Sequence, residues 1–537
     1  MPRTGPARSG PHPGLSRVPN LVLFSFPFLA SISVRSLPRH AALIWTAVIG
    51  YLFLPERFVI DLPGLPPVNK TVILTLTLLA VVVITRPEKV RDKNGKLVDP
   101  VQLVNASWLM GLMILGLIAL LFIGPYFTIQ ANGERLVFGL TVLPGTTMKD
   151  LPGTLLALLV PVALFLIARR HLSSPEAHRT MLYVVAACSV GYSLFMLIEF
   201  RMSPMMNYWV YGYHQHSFLQ HIRGGYRPKV FLAHGLSVGM LLVMASLAAF
   251  ALARIAEDKE MRLRWLMAGI WLLMMTVLSR NLGATMLALA FTPLLFLGSA
   301  LRVLAVVTVA AGFLMYPVVR ASDAVPFDKF VAAIEVISHE RAQSLEFRLV
   351  NEEELLARAN EKPLTGWGGW GRNRIYNRVG KDISVTDGLW IIQLGVGGWL
   401  RYISFFGLLC LPLLMLRWAA RRKPVPLETV TLGLIMAANL VYLIPNSALS
   451  VLGWLMSGAL AGFIQFDEKR VGAEEAEAGA DAAPSGRRRR LLTRTPEDTP
   501  PSPPRDRGPG RTREDKRRRY SRFGESGAPA TLRTRGT

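Results

Sequence analysis

Long uninterrupted apolar runs constrain the fold of this chain more than any other feature. A run of about 20 apolar residues is needed to cross the hydrocarbon core of a bilayer as a helix. The runs show no two-residue alternation of the kind found in membrane β-barrels, which leaves helices. We count twelve or thirteen runs, the first two of them short, near 21–34, 41–54, 70–85, 106–124, 153–168, 180–200, 230–253, 265–279, 282–298, 303–319, 388–416, 427–444 and 448–465.

The composition agrees with this interpretation, since 51% of the 537 residues are apolar and only 18% are charged. Such values are typical of polytopic membrane proteins. The predicted fold class is therefore all-α, with about 12–13 transmembrane helices. We expect a disordered segment over 1–20, a membrane domain over 21–465 and a disordered basic tail over 466–537.

The distribution of lysine and arginine predicts the orientation, because such residues are retained on the cytoplasmic side during insertion. Basic segments near 86–96, 169–179, 254–264 and 417–423 alternate correctly with the spans, so they and the tail are predicted to be cytoplasmic. Three longer segments, near 125–152, 201–229 and 320–387, are then external. Thirteen spans would place the N-terminus outside, and twelve would place it inside.

The net charge of +24 raises the question of whether the chain binds nucleic acid. Positive loops explain most of it, and a solvated tail that touches anionic lipids explains the rest, so no specific nucleic acid is predicted. Cys188 and Cys410 both lie in apolar runs, which excludes an external disulfide framework. His214, His216 and His221 match no strong metal-binding spacing, and neither a metal nor a cofactor is expected.

Two basic sites beside predicted spans are candidates for binding an anion. Arg223 and Arg227 lie in the external segment 201–229, which contains no acidic residue. The alternative for this pair is a membrane-anchoring flank whose long side chains reach the interface. Arg280 interrupts an apolar region at the external end of two spans, where an arginine is costly unless it is paired or hydrated.

A third basic site lies in the longest external segment. Leucines at 345, 349 and 356 recur at helical spacing and Pro363 ends the pattern, which predicts an amphipathic helix on the external face. Arg348 lies on this helix, four residues before Glu352. The alternative to a functional role is a surface ion pair between these two residues, worth only a few tenths of a kcal/mol.

The stretch "KPLTGWGGWGRNR", residues 362–374, follows that helix directly. It lacks the lysine and hydroxyl ending of a nucleotide-binding loop, so a nucleotide is not expected. Trp367 and Trp370 present flat rings that suit sugars, although an interfacial aromatic belt explains them equally well. With Gly368 and Arg372 they form a candidate substrate-binding loop.

The order of these motifs resembles the O-antigen ligase and O-antigen polymerase superfamily of bacterial inner-membrane glycosyltransferases. The resemblance covers about residues 200–400, and the similar segments are "RGGYRPKVFLAHG", "SRNLGA", "FRLVNEEELLARANEKPLTGWGGWG" and "VTDGLWIIQLGVGGWL". It implies a glycan donor on undecaprenyl pyrophosphate, a glycan or lipid A-core acceptor, no metal, and a periplasmic catalytic loop. Arg280 and Arg348 would then neutralise the leaving pyrophosphate. Asp387 stands where many members carry histidine and would act as the base.

Two other functions compete with glycan transfer. A lipid-linked glycan transporter without chemistry should show charged or broken helices at mid-membrane and an internal repeat. The sequence predicts neither feature. A membrane scaffold that presents its arginine-rich tail is the third hypothesis. Ligase and polymerase differ only in the acceptor, and the sequence leaves this choice open.

Overall fold

The computed structural model describes residues 17–56, 68–85, 90–91, 97–98, 101–215, 225–322, 331–332, 335–336, 339–369 and 371–470. Several predictions fall on residues outside these ranges. They concern most of the N-terminal segment and of the basic tail, together with Arg223, His216, His221 and Trp370.

The described chain is mostly helical, as predicted. Its α-helices are α1 (Arg17–Ser33), α2 (Arg39–Phe53), α3 (Lys70–Ile84), α4 (Trp108–Gln130), α5 (Leu151–His171), α6 (Pro175–Met202), α7 (Met206–Tyr211), α8 (Gly235–Ile255), α9 (Lys259–Leu278), α10 (Leu282–Phe291), α11 (Ser299–Ala321), α12 (His339–Asn360), α13 (Leu389–Ala420), α14 (Leu427–Tyr442) and α15 (Val451–Gln465).

Seven of the described helices are long and apolar enough to cross a membrane. They are α4, α5 with the 3₁₀ turn before it, α6, α8, α9, α11 and α13. Shorter apolar helices lie at the remaining predicted runs, and they include α1, α2, α3, α14 and α15. The prediction of a helical membrane protein is confirmed. Cys188 and Cys410 are free thiols in α6 and α13.

The all-α prediction missed short β-strands, which pair antiparallel as β1 (Val90–Arg91) with β2 (Leu97–Val98), β3 (Val101–Asn105) with β6 (Phe466–Arg470), and β4 (Leu136–Phe138) with β5 (Thr141–Leu143). Strands of two to five residues are too short for a two-residue alternation of apolar side chains to be recognised in the sequence. Strand β6 also extends the ordered chain beyond 466, where the tail was predicted to begin. We call the end of the bundle that holds β3 and β6 the strand end.

The opposite end of the bundle carries the segments 131–150 and 361–388, and we call it the loop end. Here α13 is broken at Gly398, whose φ of 60° and ψ of −162° are not helical. The sequence predicted no broken helix at mid-membrane, and this break lies instead at the loop end. Residues 399–420 alone make a helix of about 33 Å at 1.5 Å per residue, which is enough to span a bilayer.

The glycine-rich stretch docks against this break. Backbone groups of the stretch and of α13 exchange hydrogen bonds from Trp399 N to Pro363 O (2.7 Å), Leu400 N to Leu364 O (3.3 Å), Trp367 N to Gly395 O (2.9 Å) and Gly368 N to Val396 O (2.9 Å). The loop thus satisfies groups that the break would leave unpaired.

Close approach at the break explains one glycine of the stretch. Gly366 has a φ of +66°, and a Cβ there would lie 2.5 Å from the backbone nitrogen of Gly398. Both the conformation and the contact exclude a side chain. The loop is therefore glycine-rich partly because it packs directly on the backbone of α13.

Candidate functional site

Helix α12 is the amphipathic helix that the leucine spacing predicted. Leu355 and Leu356 are buried, and Leu345 and Leu349 are half-buried. The helix lies between α11 and α13 in the chain and packs against α13.

Arg348 on α12 forms an ion pair with Asp387, which lies just before α13. The distance from Arg348 Nε to Asp387 Oδ2 is 3.6 Å, and both side chains are a little under half exposed. The family resemblance singled out both residues, Arg348 for the pyrophosphate and Asp387 as the base, and the fold brings them together. The surface-pair hypothesis for Arg348 and Glu352 was wrong, because Arg348 pairs with Asp387 instead.

Glu352 turns towards the interior of the bundle. Its carboxylate accepts hydrogen bonds from Tyr316 Oη at 3.1 Å and from Trp390 Nε1 at 3.3 Å, and Arg320 Nε lies 4.0 Å away. Burial raises the pKa of the Glu352 carboxyl above its usual range, while these donors and Arg320 act in the opposite direction. The inward position of Glu352 could be recognised in the sequence, because position 352 falls within the apolar stripe of the helix.

These residues line one cavity of about 450 Å³. Its polar lining includes Arg348, Asp387 and Glu352, and its apolar lining includes Phe347 and Ile391. Cavities of this size and mixed lining are typical of small-molecule sites. Gly388 borders the cavity as well, and a Cβ there would lie 2.2 Å from the carbonyl oxygen of Ile444.

Arg280 occupies a strained backbone position between α9 and α10. Its φ is +57°, which is uncommon for a residue with a side chain, and such strain often marks functional sites. Arg227 Nη2 donates to the Arg280 carbonyl oxygen at 3.1 Å. The Arg280 guanidinium packs against Gly225, where a Cβ would lie 2.3 Å from Arg280 Nη2. The two sequence candidates Arg227 and Arg280 are thus neighbours.

Tyr442 links this arginine pair to the Arg348 cavity. Its hydroxyl accepts a hydrogen bond from Asn281 Nδ2 at 2.7 Å and donates one to the Leu236 carbonyl oxygen at 2.9 Å. Both Arg227 and Arg348 lie within electrostatic range of this hydroxyl. Arg227 and Arg348 therefore both lie near Tyr442, and Tyr442 and Asn281 are residues that the sequence did not single out.

The segment that carries Arg227 is held by a buried carboxylate. Glu199 accepts hydrogen bonds from the backbone nitrogens of Lys229 and Val230, both at 2.8 Å. Val230 has a φ of +53°, a rare conformation for a β-branched residue. Burial lowers the pKa of the Lys229 ammonium to about 8. These contacts fix the backbone next to Arg227.

Trp367 is buried and does not present its ring to a ligand. The Arg358 guanidinium lies 3.3 Å from the centre of its ring, and Lys362 Nζ lies 4.6 Å from it. The indole Nε1 donates to the Arg358 carbonyl oxygen at 2.6 Å. This environment favours a role in packing the loop over one in stacking on a sugar.

Arg372 and Gly368, the other predicted loop residues, also lie apart from the Arg348 cavity. Arg372 is fully buried and donates to the carbonyl oxygens of Trp367, Glu134 and Pro144, at 3.1, 2.9 and 2.9 Å. It ties the stretch to the segment 131–150. Gly368 lines a second, smaller cavity.

Trp367→Ala is expected to destabilise the docked loop by about 3 kcal/mol, the usual lower cost of truncating a packed tryptophan. Proteolysis of the loop end should accelerate, and any activity should fall in parallel. Trp209→Ala is the matched control, because Trp209 is 49% exposed. Loss of activity with unchanged proteolysis would instead support sugar stacking.

No metal cluster of three or more histidine, cysteine, aspartate or glutamate side chains occurs among the described residues. His214 stacks on Tyr208 with ring centres 4.5 Å apart. No protein-family model matches the chain, and no curated protein matches it. The functional assignment therefore depends on the residues and their geometry.

Proposed function

We propose that this protein transfers or polymerises glycan from an undecaprenyl-pyrophosphate-linked donor onto an acceptor hydroxyl. The observation that supports this most is the pairing of Arg348 with Asp387 at the wall of one cavity. The acceptor would be a lipid A core for a ligase, or the growing glycan for a polymerase. The proposal is of a membrane glycosyltransferase that needs no cofactor.

The chemistry requires positive charge where the donor's pyrophosphate leaves. As the acceptor oxygen bonds to the anomeric carbon, the bond from that carbon to the pyrophosphate oxygen breaks and negative charge grows on the pyrophosphate. Guanidinium groups suit this charge because they donate two parallel hydrogen bonds. Arg348 and Arg280 would fill this role. Arg227 would help to hold Arg280 in place, because its Nη2 donates a hydrogen bond to the carbonyl oxygen of Arg280.

The ion pair suggests how the base becomes available. A pyrophosphate bound to Arg348 would compete with Asp387 for the same guanidinium. The displaced Asp387 carboxylate would then accept the proton from the acceptor hydroxyl, a contribution of roughly 10² to 10⁴ in rate for a general base. In this arrangement the donor itself exposes the base.

The apolar part of the cavity fits the carrier lipid. Leu345, Phe347, Leu349, Ile391 and Ile444 line the cavity beside the charged groups. A polyprenyl chain would lie against these side chains while the pyrophosphate reaches Arg348. One cavity would thus accept both halves of an amphipathic donor.

Transport without chemistry is the second candidate. The break of α13 at Gly398 and the charged Arg401 just beyond it favour this function, because broken helices form substrate sites in many transporters. The test is to reconstitute the purified protein with a lipid-linked glycan and measure released undecaprenyl pyrophosphate. Release that depends on an acceptor supports glycan transfer. Movement of intact donor across the bilayer without release would overturn it.

We also propose that the protein is a multi-pass protein of the bacterial inner membrane. The loop end would be periplasmic, and the strand end and tail cytoplasmic. The proposal includes the shorter apolar helices as spans, so that helices α1 to α15, apart from α7 and α12, give thirteen and leave the N-terminus outside. Its support is the basic character of the predicted cytoplasmic segments.

Cysteine labelling from the periplasmic side tests this orientation. In a variant without Cys188 and Cys410, we expect Val379→Cys to react with an impermeant thiol reagent, because Val379 is 64% exposed at the loop end. Ser485→Cys in the tail should react only after the membrane is permeabilised. Reaction of Ser485→Cys in intact cells would contradict the orientation.

A further inference from the structure

A second cavity, of about 140 Å³, lies at the loop end and shares no lining residue with the Arg348 cavity. Helix α4, the start of α5, the glycine-rich stretch at Gly368 and Gly369, and α13 on both sides of its break form the walls. A cavity of about 150 Å³ holds a molecule the size of benzene. This cavity therefore has room for a phosphate-sized group.

Arg401 brings a charge to this cavity without a matching partner. Its Nε donates to Gln393 Oε1 at 2.6 Å, and none of the ion pairs among the described residues includes it. Among the described residues, Nη1 and Nη2 have no hydrogen-bond partner in the protein. Arg401 is half-buried, so a bound anion would compensate a charge that is partly withdrawn from water.

The backbone around Arg401 is shaped to accommodate the side chain. A Cβ on Gly397 would lie 2.4 Å from Arg401 Cβ and 2.5 Å from Arg401 Cδ. The helix break at Gly398 immediately follows. The chain therefore leaves space for this arginine at the cavity wall.

The other polar groups of the cavity are engaged within the protein. Asp150 Oδ2 accepts hydrogen bonds from Thr147 N at 2.8 Å and Thr147 Oγ1 at 3.1 Å, as a helix-capping box requires. The hydroxyls of Thr128, Thr146 and Thr154 all donate to backbone carbonyl oxygens. Arg401 is thus the donor that remains available to a ligand.

Exposed apolar side chains beside the cavity indicate where the anion comes from. Ile123 and Phe127 on α4 are 53% and 48% exposed, and Leu159 on α5 is 48% exposed. Ile123 and Phe127 adjoin the lining residues Gly124 and Thr128 in the chain, and Leu159 lies on the same helix as the lining residue Thr154. Acyl chains packed against them would bring a headgroup phosphate to the cavity.

We propose that this cavity binds the phosphate of an anionic membrane lipid, with Arg401 as its counter-charge. The site is separate from the Arg348 cavity, and the proposal does not depend on glycan transfer. Two terminal nitrogens directed at one phosphate can form the bidentate contact that guanidinium groups make with such anions. A bound lipid would also occupy the gap between α4, α5 and the docked glycine-rich stretch.

Binding of phosphatidic acid by the full-length protein in detergent micelles tests the site, with thermal unfolding as the readout because a ligand of the folded state raises the melting temperature. For wild type we expect a rise with phosphatidic acid and none with phosphatidylcholine or inorganic phosphate. Arg401→Gln should weaken the apparent affinity by about 10- to 100-fold, as expected for a charged hydrogen-bond donor. Arg374→Gln, in the same external region but outside the cavity, should bind like wild type.

A second variant keeps the test decisive if Arg401→Gln does not fold. Gly369 lines the cavity and a Cβ there meets no atom within 4 Å, so Gly369→Leu should fill the cavity and keep the charge. It should lose the effect of phosphatidic acid as Arg401→Gln does. Unchanged binding in either folded variant, no effect on wild type, or an equal effect of inorganic phosphate would overturn the proposal.

Discussion

Replacing Arg348 with lysine is expected to lower glycan transfer by roughly 10² to 10³, measured with membranes that contain equal amounts of protein. Lysine keeps the charge but loses the planar pair of donors that fits a phosphate. The ion pair with Asp387 is nearly half exposed, so its own loss should cost under about 1 kcal/mol of stability. A large loss of activity without unfolding would therefore reflect the reaction.

The chain supplies a matched control for this substitution. Arg374 forms a similar ion pair with Asp382 at 2.6 Å at the loop end, and Arg374 is 45% exposed. Arg374→Lys should transfer glycan at nearly the wild-type rate. Arg280→Lys should behave like Arg348→Lys if both arginines contact one pyrophosphate. Near wild-type transfer by both Arg280→Lys and Arg348→Lys would contradict a role for these arginines in the reaction.

The second large effect is expected on the stability of the loop end. Arg372→Met should remove the buried guanidinium that donates to the carbonyl oxygens of Trp367, Glu134 and Pro144. A hydrogen bond from a charged group contributes about 1.5–3 kcal/mol, so the docked stretch should lose several kcal/mol. Limited proteolysis should then cut near 361–387 much faster than in wild type.

Arg378→Met controls for the loss of a positive charge, because Arg378 is exposed in the same region. Its proteolysis should match that of wild type. Backbone hydrogen exchange at 363–369 gives a second readout, since amides freed from α13 exchange faster. Slow exchange in Arg372→Met would show that the backbone bonds to α13 are sufficient to hold the loop.

The helices were predictable because bilayer thickness dictates the length of an apolar run, whatever the neighbours do. The break in α13 was hidden because Gly398 lies inside an apolar segment, and its cause is a loop more than thirty positions earlier in the chain. Strands β3 and β6 could not be predicted from periodicity, since each gains its partner only through the packing of the helices.

The candidate site, like the fold, could be predicted from the sequence only in part. Arg280 was predicted because a charge beside apolar runs needs a physical reason, and Arg348 because it lies on the amphipathic helix and matches the family resemblance. Their neighbours Tyr442 and Asp387 come from different helices or loops, and only tertiary structure reveals their proximity. The sequence suggested that the ring of Trp367 binds a sugar, because an aromatic residue in a glycine-rich loop looks the same in sequence whether its ring is exposed or buried.

The pairing of β3 with β6 has a consequence for biosynthesis. The ribosome completes β3 before most of the spans exist, and β6 is synthesised after the last of the apolar helices. At roughly 5–20 residues per second, the edge of β3 waits tens of seconds for its partner. During that interval its open hydrogen-bonding groups can recruit other strands, so this five-residue edge is a place where nascent chains of this protein can misassemble.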